Sequence, residues 1–197
     1  MFTGIVERMG TVAEAADAGG KRRFSIAAGS LATGLKVGDS VAVNGVCLTA
    51  VAVAGECFAV EAVDETLARS NLGSLGAGSA VNLERPMRAD GRFDGHLVQG
   101  HVDGVGTVRS INPEGASFRV WLDVPAGLRR YLAEKGSVAV DGVSLTVSAV
   151  DAVGCEVVLI PHTLEVTLFG ARRPGDRVNL EVDVVAKYVE RLLGVGQ

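Results

Sequence analysis

No run in this sequence approaches the roughly 20 consecutive apolar residues that a membrane-spanning helix needs, so no membrane partner is expected. Cysteine is scarce. The three residues Cys47, Cys57 and Cys155 are odd in number and lack CxxC spacing, which argues against a disulfide framework and a zinc site and fits a reducing compartment. Basic clusters are missing, and a formal charge of −4 makes nucleic acid a poor candidate for the main partner. The opening residues, "MFTGIVERMG", have no basic stretch followed by an apolar core and do not read as a signal peptide. No glycine-rich fingerprint opens a strand–helix–strand unit, which sets aside a nucleotide-binding reductase domain. A soluble cytoplasmic protein is the expectation. Apolar residues are plentiful: 48% hydrophobic against 21% charged is the balance of a chain that buries a core.

Internal repetition is the strongest signal present. "SVAVNGVCLT" from Ser40 returns as "SVAVDGVSLT" from Ser137, differing only at Asn44/Asp141 and Cys47/Ser144. "GIVERMGTV" from Gly4 matches "GHVDGVGTV" from Gly100, and "ETLARSNLGSLGAGSAVNLE" from Glu65 matches "HTLEVTLFGARRPGDRVNLE" from His162. The offsets are 97, 96 and 97 residues, so one gap aligns the halves. That period is too long, and the copies too few, for a solenoid. Two duplicated domains are expected: residues 1–97, residues 98–184, and a C-terminal segment 185–197.

Within each copy, short Val-rich runs such as "CFAVEAV" and "AVNLE" alternate with period two, with Gly, Asn and Asp between them. This pattern predicts an all-β sandwich or barrel. "RPMRADGRFDGH", Arg85 to His96, shows no alternation and reads as the linker. "PAGLRRYLAEKG" predicts a short helix with Pro125 near its start and Gly136 as its stop. "VVAKYVERLLG" has a clear helical period, and its stripe of Val185, Val189, Leu192 and Leu193 suits either packing on its own barrel or an oligomer contact.

In an extended segment, Cys47 and Thr49 share one face while Val46 and Leu48 share the other; Ser144 and Thr146 repeat the arrangement opposite Val143 and Leu145. A small polar pair on the same face of both copies suggests a ligand surface, since long charged side chains serve a merely solvated face at least as well. The copies differ at Ile5/His101, Asn44/Asp141, Cys47/Ser144 and Glu65/His162. If each copy holds the same kind of ligand, these differences present identical molecules with different proton donors and acceptors.

"MFTGIVE", "VNGVCLT", "GHLVQGHVDG", "VDGVSLTV" and "IPHTL", in order and in both halves, closely resemble the riboflavin synthase family of tandem lumazine-binding repeats. The resemblance runs from Met1 to Leu193. Departures at Ala50, Ser70 and Asp94 remove no polar group of interest. The resemblance implies two similar six-stranded Greek-key β-barrels with a C-terminal α-helix, assembled as a homotrimer, with association with lumazine synthase as a further partner. It implies a transferase that needs no cofactor. Two molecules of 6,7-dimethyl-8-ribityllumazine dismutate, one giving a four-carbon unit to the other, to form riboflavin and 5-amino-6-(D-ribitylamino)uracil. The competing reading is a non-catalytic lumazine- or flavin-binding antenna protein of the same fold.

The resemblance also assigns residues. Gly4, Ile5 and Val6, with Cys47, Leu48 and Thr49 and with Glu61, Ala62, Val63, Asp64, Glu65 and Thr66, are expected to line the first pocket. Gly100, His101 and Val102, with Ser144, Leu145 and Thr146 and with Leu159, Ile160, Pro161, His162 and Thr163, are expected to line the second. Lys135 is expected at a ribityl hydroxyl. His101 is the first candidate for proton transfer because imidazole titrates near working pH. Ser144 and Thr146 are expected to stabilise a developing carbanion, Cys47 to polarise the acceptor ring or act as nucleophile, and Ser40 and Asp183 to lie near the reacting carbons. His96 and His162 are expected to be structural or, at most, to act through a residue that touches the ligand.

Overall fold

The computed structural model describes residues 1–17 and 19–194. Twelve antiparallel strands form two closed barrels of six. The first comprises β1 (Arg8–Asp17), β2 (Lys21–Ala27), β3 (Ser40–Val43), β4 (Val46–Ala54), β5 (Cys57–Val63) and β6 (Ala80–Glu84). The second comprises β7 (Gly104–Glu114), β8 (Ser117–Asp123), β9 (Ser137–Val140), β10 (Val143–Val150), β11 (Gly154–Leu159) and β12 (Arg177–Val182). In the first, neighbours run β1-β2-β5-β4-β3-β6; the second repeats the order strand for strand. In each, a three-strand meander is flanked by the preceding strand in Greek-key fashion. Closure leaves no free sheet edge.

The two polar dipeptides at the repeat's centre are hairpin turns. Asn44 and Gly45 have φ of 47° and 76°, and Asp141 and Gly142 have φ of 46° and 79°, the left-handed pair that joins strands with the right twist. Each barrel has its own apolar core. Phe24, Ile26, Phe58, Val60, Leu72 and Leu83 fill the first, and Val120, Leu122, Leu159, Phe169, Val178 and Leu180 the second.

The barrels are held back to back by a buried polar layer. On β6, Val81 and Leu83 face the core while Asn82 and Glu84 are buried on the other side; Asn179 and Glu181 repeat this on β12. Both faces are covered, and alternation in burial disappears there. Asn179 Nδ2 donates to the Asn44 carbonyl at 2.8 Å, and Asn82 Nδ2 donates to the Asp141 carbonyl at 3.0 Å. Asn71 donates through Nδ2 to Asp141 at 2.9 Å, and Arg172 pairs with the same carboxylate. Asn44 and Asp141, read from sequence as residues that present different chemistry to two ligands, are instead turn residues sealed into this layer, 1% and 2% exposed.

The linker has neither helix nor regular strand between Glu84 and Gly104, apart from a single bridge that pairs Phe2 with Val98. Phe2, Val98, Ala42 and Ala139 form a third small core at the junction. Four helices of four to six residues cap the barrels: α1 (Ser30–Thr33), α2 (Asp64–Arg69), α3 (Ala126–Arg129) and α4 (Pro161–Val166). The last, α5 (Val184–Leu193), is capped by Asp183, whose Oδ1 accepts from Val185 N–H at 2.9 Å. Its stripe does not pack on the barrel: Val185, Val189, Leu192 and Leu193 are 55%, 47%, 86% and 71% exposed. Residues 195–197 of the expected C-terminal segment lie outside the described residues. No helix among the described residues is long and apolar enough to cross a membrane.

Candidate active site

Strand alternation places the small polar pairs as expected. Val46 and Leu48 are buried in the first core, while Cys47 is half-buried and Thr49 exposed on the outer face; Val143, Leu145, Ser144 and Thr146 follow suit on β10. Ser40 is half-buried on β3, paired in register with Thr49.

What closes each face comes from the other repeat. Cys47 N–H donates to the Gly100 carbonyl at 2.9 Å, and Ser144 N–H donates to the Gly4 carbonyl at 2.7 Å. The contact is so close that a Cβ on Gly100 would lie 2.6 Å from that of Cys47, and one on Gly4 would lie 2.6 Å from that of Ser144. The segment beginning at Gly4 therefore lies on the second barrel, with Val6 packed against the second core, and the segment beginning at Gly100 lies on the first, with Val102 against the first core. This corrects the grouping read from sequence, in which each segment lined its own barrel. Strand periodicity carries no information about which barrel a flanking segment crosses to.

A cavity of about 290 Å³ results on the first barrel, lined by Val46, Cys47, Glu65, Thr66, Arg69, Ser70, Gly100, His101 and Val102. It unites Cys47, Glu65, Thr66, Gly100, His101 and Val102, all read as site residues from the sequence. Ala62 is buried in the first core, Glu61 is tied up by Lys21 and Arg23, and Val63 and Asp64 are exposed where β5 gives way to α2. The lysine's hydrogen bond to Glu61 holds that carboxyl below its usual range. Arg69 and Ser70 are additions. Arg69 reaches back one turn of α2 to Glu65 at 2.7 Å, a spacing visible in the sequence as an i, i+4 acid–base pair.

The matching region on the second barrel has Gly4 on Ser144 and Val6 on the second core, while Ile5 lines a larger, separate cleft. Leu159 is buried in the core, and Ile160 leads into α4 with Pro161 and His162 exposed and Thr163 half-buried. Where the first copy has the Glu65–Arg69 pair, the second has His162 and Val166. Lys135 is exposed with φ of 68°, and its N–H donates to Val147, the residue after Thr146; the first copy has Gly38 at that place. A lysine held in the left-handed region is strained where glycine is not.

His96 sits against one of the expected site residues, Ser144. Its Nδ1 and Ser144 Oγ are joined by a 2.7 Å hydrogen bond, and its Nε2 is buried without a partner among the described residues. Burial lowers its pKa, partly opposed by the charge of Asp183 nearby. No pattern of residues announced this: His96 lies in the linker, without a counterpart in the first repeat. A larger cleft of about 580 Å³ lies between the N-terminal segment, the loop that follows α1 and the linker. Its arginines Arg85, Arg88 and Arg92 are already paired with Glu7, Asp90 and Asp94, and it contains neither small polar pair.

Two barrels that each lend the other a wall define a class, and comparison identifies it. The lumazine binding domain family matches residues 3–86 and 99–183. Among solved structures, that of LumP complexed with riboflavin superposes with a TM-score of 0.85 at 24% identity, covering 92% of this chain and 99% of that one, a likeness of fold. A riboflavin synthase from Mycobacterium tuberculosis (strain ATCC 25618 / H37Rv) is 49% identical over 197 residues, covering 98% of both chains. Those of Actinobacillus pleuropneumoniae and Bacillus subtilis (strain 168) are 43% and 40% identical, each covering 98% of this chain and 90% of its own length. The chain belongs to the riboflavin synthase family.

Proposed function

We propose that each cross-walled face binds one 6,7-dimethyl-8-ribityllumazine and that the two bound molecules dismutate, one surrendering a four-carbon unit to the other. The products are riboflavin and 5-amino-6-(D-ribitylamino)uracil. The observation that carries this reading is the reciprocal docking of Gly4 on Ser144 and Gly100 on Cys47, which gives two sites of common plan and unequal side chains. A reaction between two copies of one substrate needs that combination: like pockets to hold like molecules, and unlike groups to give them different roles.

Confinement does most of the work. Fixing two reactants in a reactive geometry supplies up to about 7–11 kcal/mol of the barrier. Proton transfer adds about 10²–10⁴-fold, because a ring-conjugated methyl must lose a proton before carbon–carbon bonds form. At the first barrel His101 stands beside Cys47; at the second, Ser144 Oγ is bonded to His96 Nδ1, so a proton can move along that bond as ring charge changes. Backbone N–H and carbonyl groups around Gly4, Gly100 and Thr146 suit the amide-like edge of a pteridine. Thr146 and Ser144 stabilise the carbanion, Cys47 polarises the accepting ring, Ser40 and Asp183 lie near the reacting carbons, and Lys135 takes a ribityl hydroxyl.

The division into residues 1–97, 98–184 and 185–197 follows the same plan. The bare stripe of α5 supports assembly as a homotrimer, and the absence of any long apolar helix among the described residues is consistent with a cytoplasmic enzyme. Incubating the purified chain with the lumazine and following riboflavin absorbance tests the activity. Riboflavin is expected at two substrates consumed per product, and replacing His101 by Ala is expected to cut turnover far more than ligand affinity. Binding without riboflavin formation at saturating lumazine makes the chain an antenna protein instead.

A further inference from the structure

Glu84 and Glu181 stand at matched places in the two copies of "VNLE", 5% and 3% exposed. Neither has a Lys or Arg within ion-pair distance among the described residues. Their donors are almost all backbone. Glu84 accepts from Thr3 N–H at 2.7 Å, Thr3 Oγ1 at 2.8 Å and Gly4 N–H at 3.0 Å. Glu181 accepts from Gln99 N–H at 2.6 Å and Gly100 N–H at 2.9 Å. Burial pushes both carboxyls above the usual range although these N–H groups pull the other way, so each carboxylate occupies an expensive place. A hydrophobic residue would fill the space more cheaply. What it lacks is the ability to fix two consecutive N–H groups of a segment that belongs to no sheet.

We propose that Glu84 and Glu181 are positioning residues: each clamps the glycine segment of its own repeat so that the segment's carbonyl docks on the other barrel, and Glu181 in this way holds His101 in the cavity it shares with Cys47. The relay is short. Glu181 holds Gly100 N–H, the Gly100 carbonyl holds Cys47 N–H, and His101 is the next residue. The mirror relay through Glu84 ends on Ser144 and carries Ile5, which transfers no proton. The two clamps are therefore alike in build and unlike in consequence. The link to turnover rests on the proposed lumazine chemistry; the clamp itself does not.

Amide hydrogen exchange on the unmodified protein reads the clamp without any assay of activity. Gln99, Gly100, Thr3 and Gly4 are expected to exchange slowly; exchange at the rate of free loop amides overturns the proposal. In Glu181→Gln, one carboxylate oxygen becomes an NH₂ that faces a backbone N–H. Exchange is expected to rise about tenfold or more at Gln99, Gly100 and Cys47, with Thr3, Gly4 and Ser144 unchanged, and Glu84→Gln is expected to reverse that pattern. Turnover of the lumazine by Glu181→Gln is expected to fall about 10²-fold with little change in KM. In a His101→Ala background the same substitution is expected to add little, whereas Glu84→Gln keeps its full effect. Independent losses for Glu181→Gln and His101→Ala, or exchange that quickens throughout the chain, overturn the proposal. If Glu181→Gln does not fold, exchange in the unmodified protein still decides. Slow exchange at the four amides in a chain that forms no riboflavin rejects the lumazine chemistry and leaves the clamp standing.

Discussion

His96 takes its two nitrogens into different surroundings, one bonded to Ser144 and the other buried without a partner among the described residues. Burial lowers its pKa below the ordinary 6.5, against a smaller opposite pull from Asp183. The folded chain's imidazole therefore takes up its proton at lower pH than the unfolded chain's. The unfolded state binds more protons between the two values, and stability falls as pH drops from about 6.5 through the lower folded value. Stability against denaturant is expected to decline across that window in the native chain and to lose that component in His96→Gln. Proton movement between His96 and Ser144 is expected to contribute to the acid limb of turnover, and that limb is expected to shift in the same variant. An acid limb that His96→Gln leaves in place assigns it to another group. A histidine in a linker offers no periodicity to read, which is why its value emerged only when Ser144 was seen beside it.

Among elements, the hairpin turns carry two constraints at once. A Cβ on Gly45 would lie 2.6 Å from the backbone nitrogen of Gly142, and one on Gly142 would meet Gly45 N at 2.8 Å. Both glycines also have φ in the left-handed region. Gly45→Ala is expected to cost about 1–3 kcal/mol from backbone strain, with the clash added, as a lower midpoint in urea. The element plan was largely legible. β4 and β10 show period two within nine and eight residues, because one face of each meets a core. β6 and β12 also read as strands, but Asn82 and Asn179 are buried against the neighbouring barrel and Glu84 and Glu181 beneath the glycine segments, facts no local pattern carries. Asn44 and Asp141 misled for the same reason: a turn buried at a junction and a turn beside a ligand look alike in sequence. Helix α5 was recognised by its period, and its bare stripe shows why the sequence left its partner open.

At the scale of the molecule, the junction depends on a few long-range contacts. Phe2 is fully buried between Ala42, Val98 and Ala139 and is bridged to Val98 by two backbone hydrogen bonds. Phe2→Ala is expected to cost about 3–5 kcal/mol, measured by chemical denaturation, and to weaken both pockets, since Thr3 and Gly4 follow directly. Deletion from Ala186 onward is expected to give a monomer by sedimentation and to abolish turnover; a fully active monomer would show that both ligands meet within one chain. The reciprocal docking of Gly4 and Gly100 also bears on how such a duplicated gene can change. A substitution in the glycine segment of either half alters the surface of the other half's barrel, so the two copies cannot drift apart freely at those positions. Selection acts on them as a pair, and the specialisation of one must have been tolerated, step by step, by its sibling.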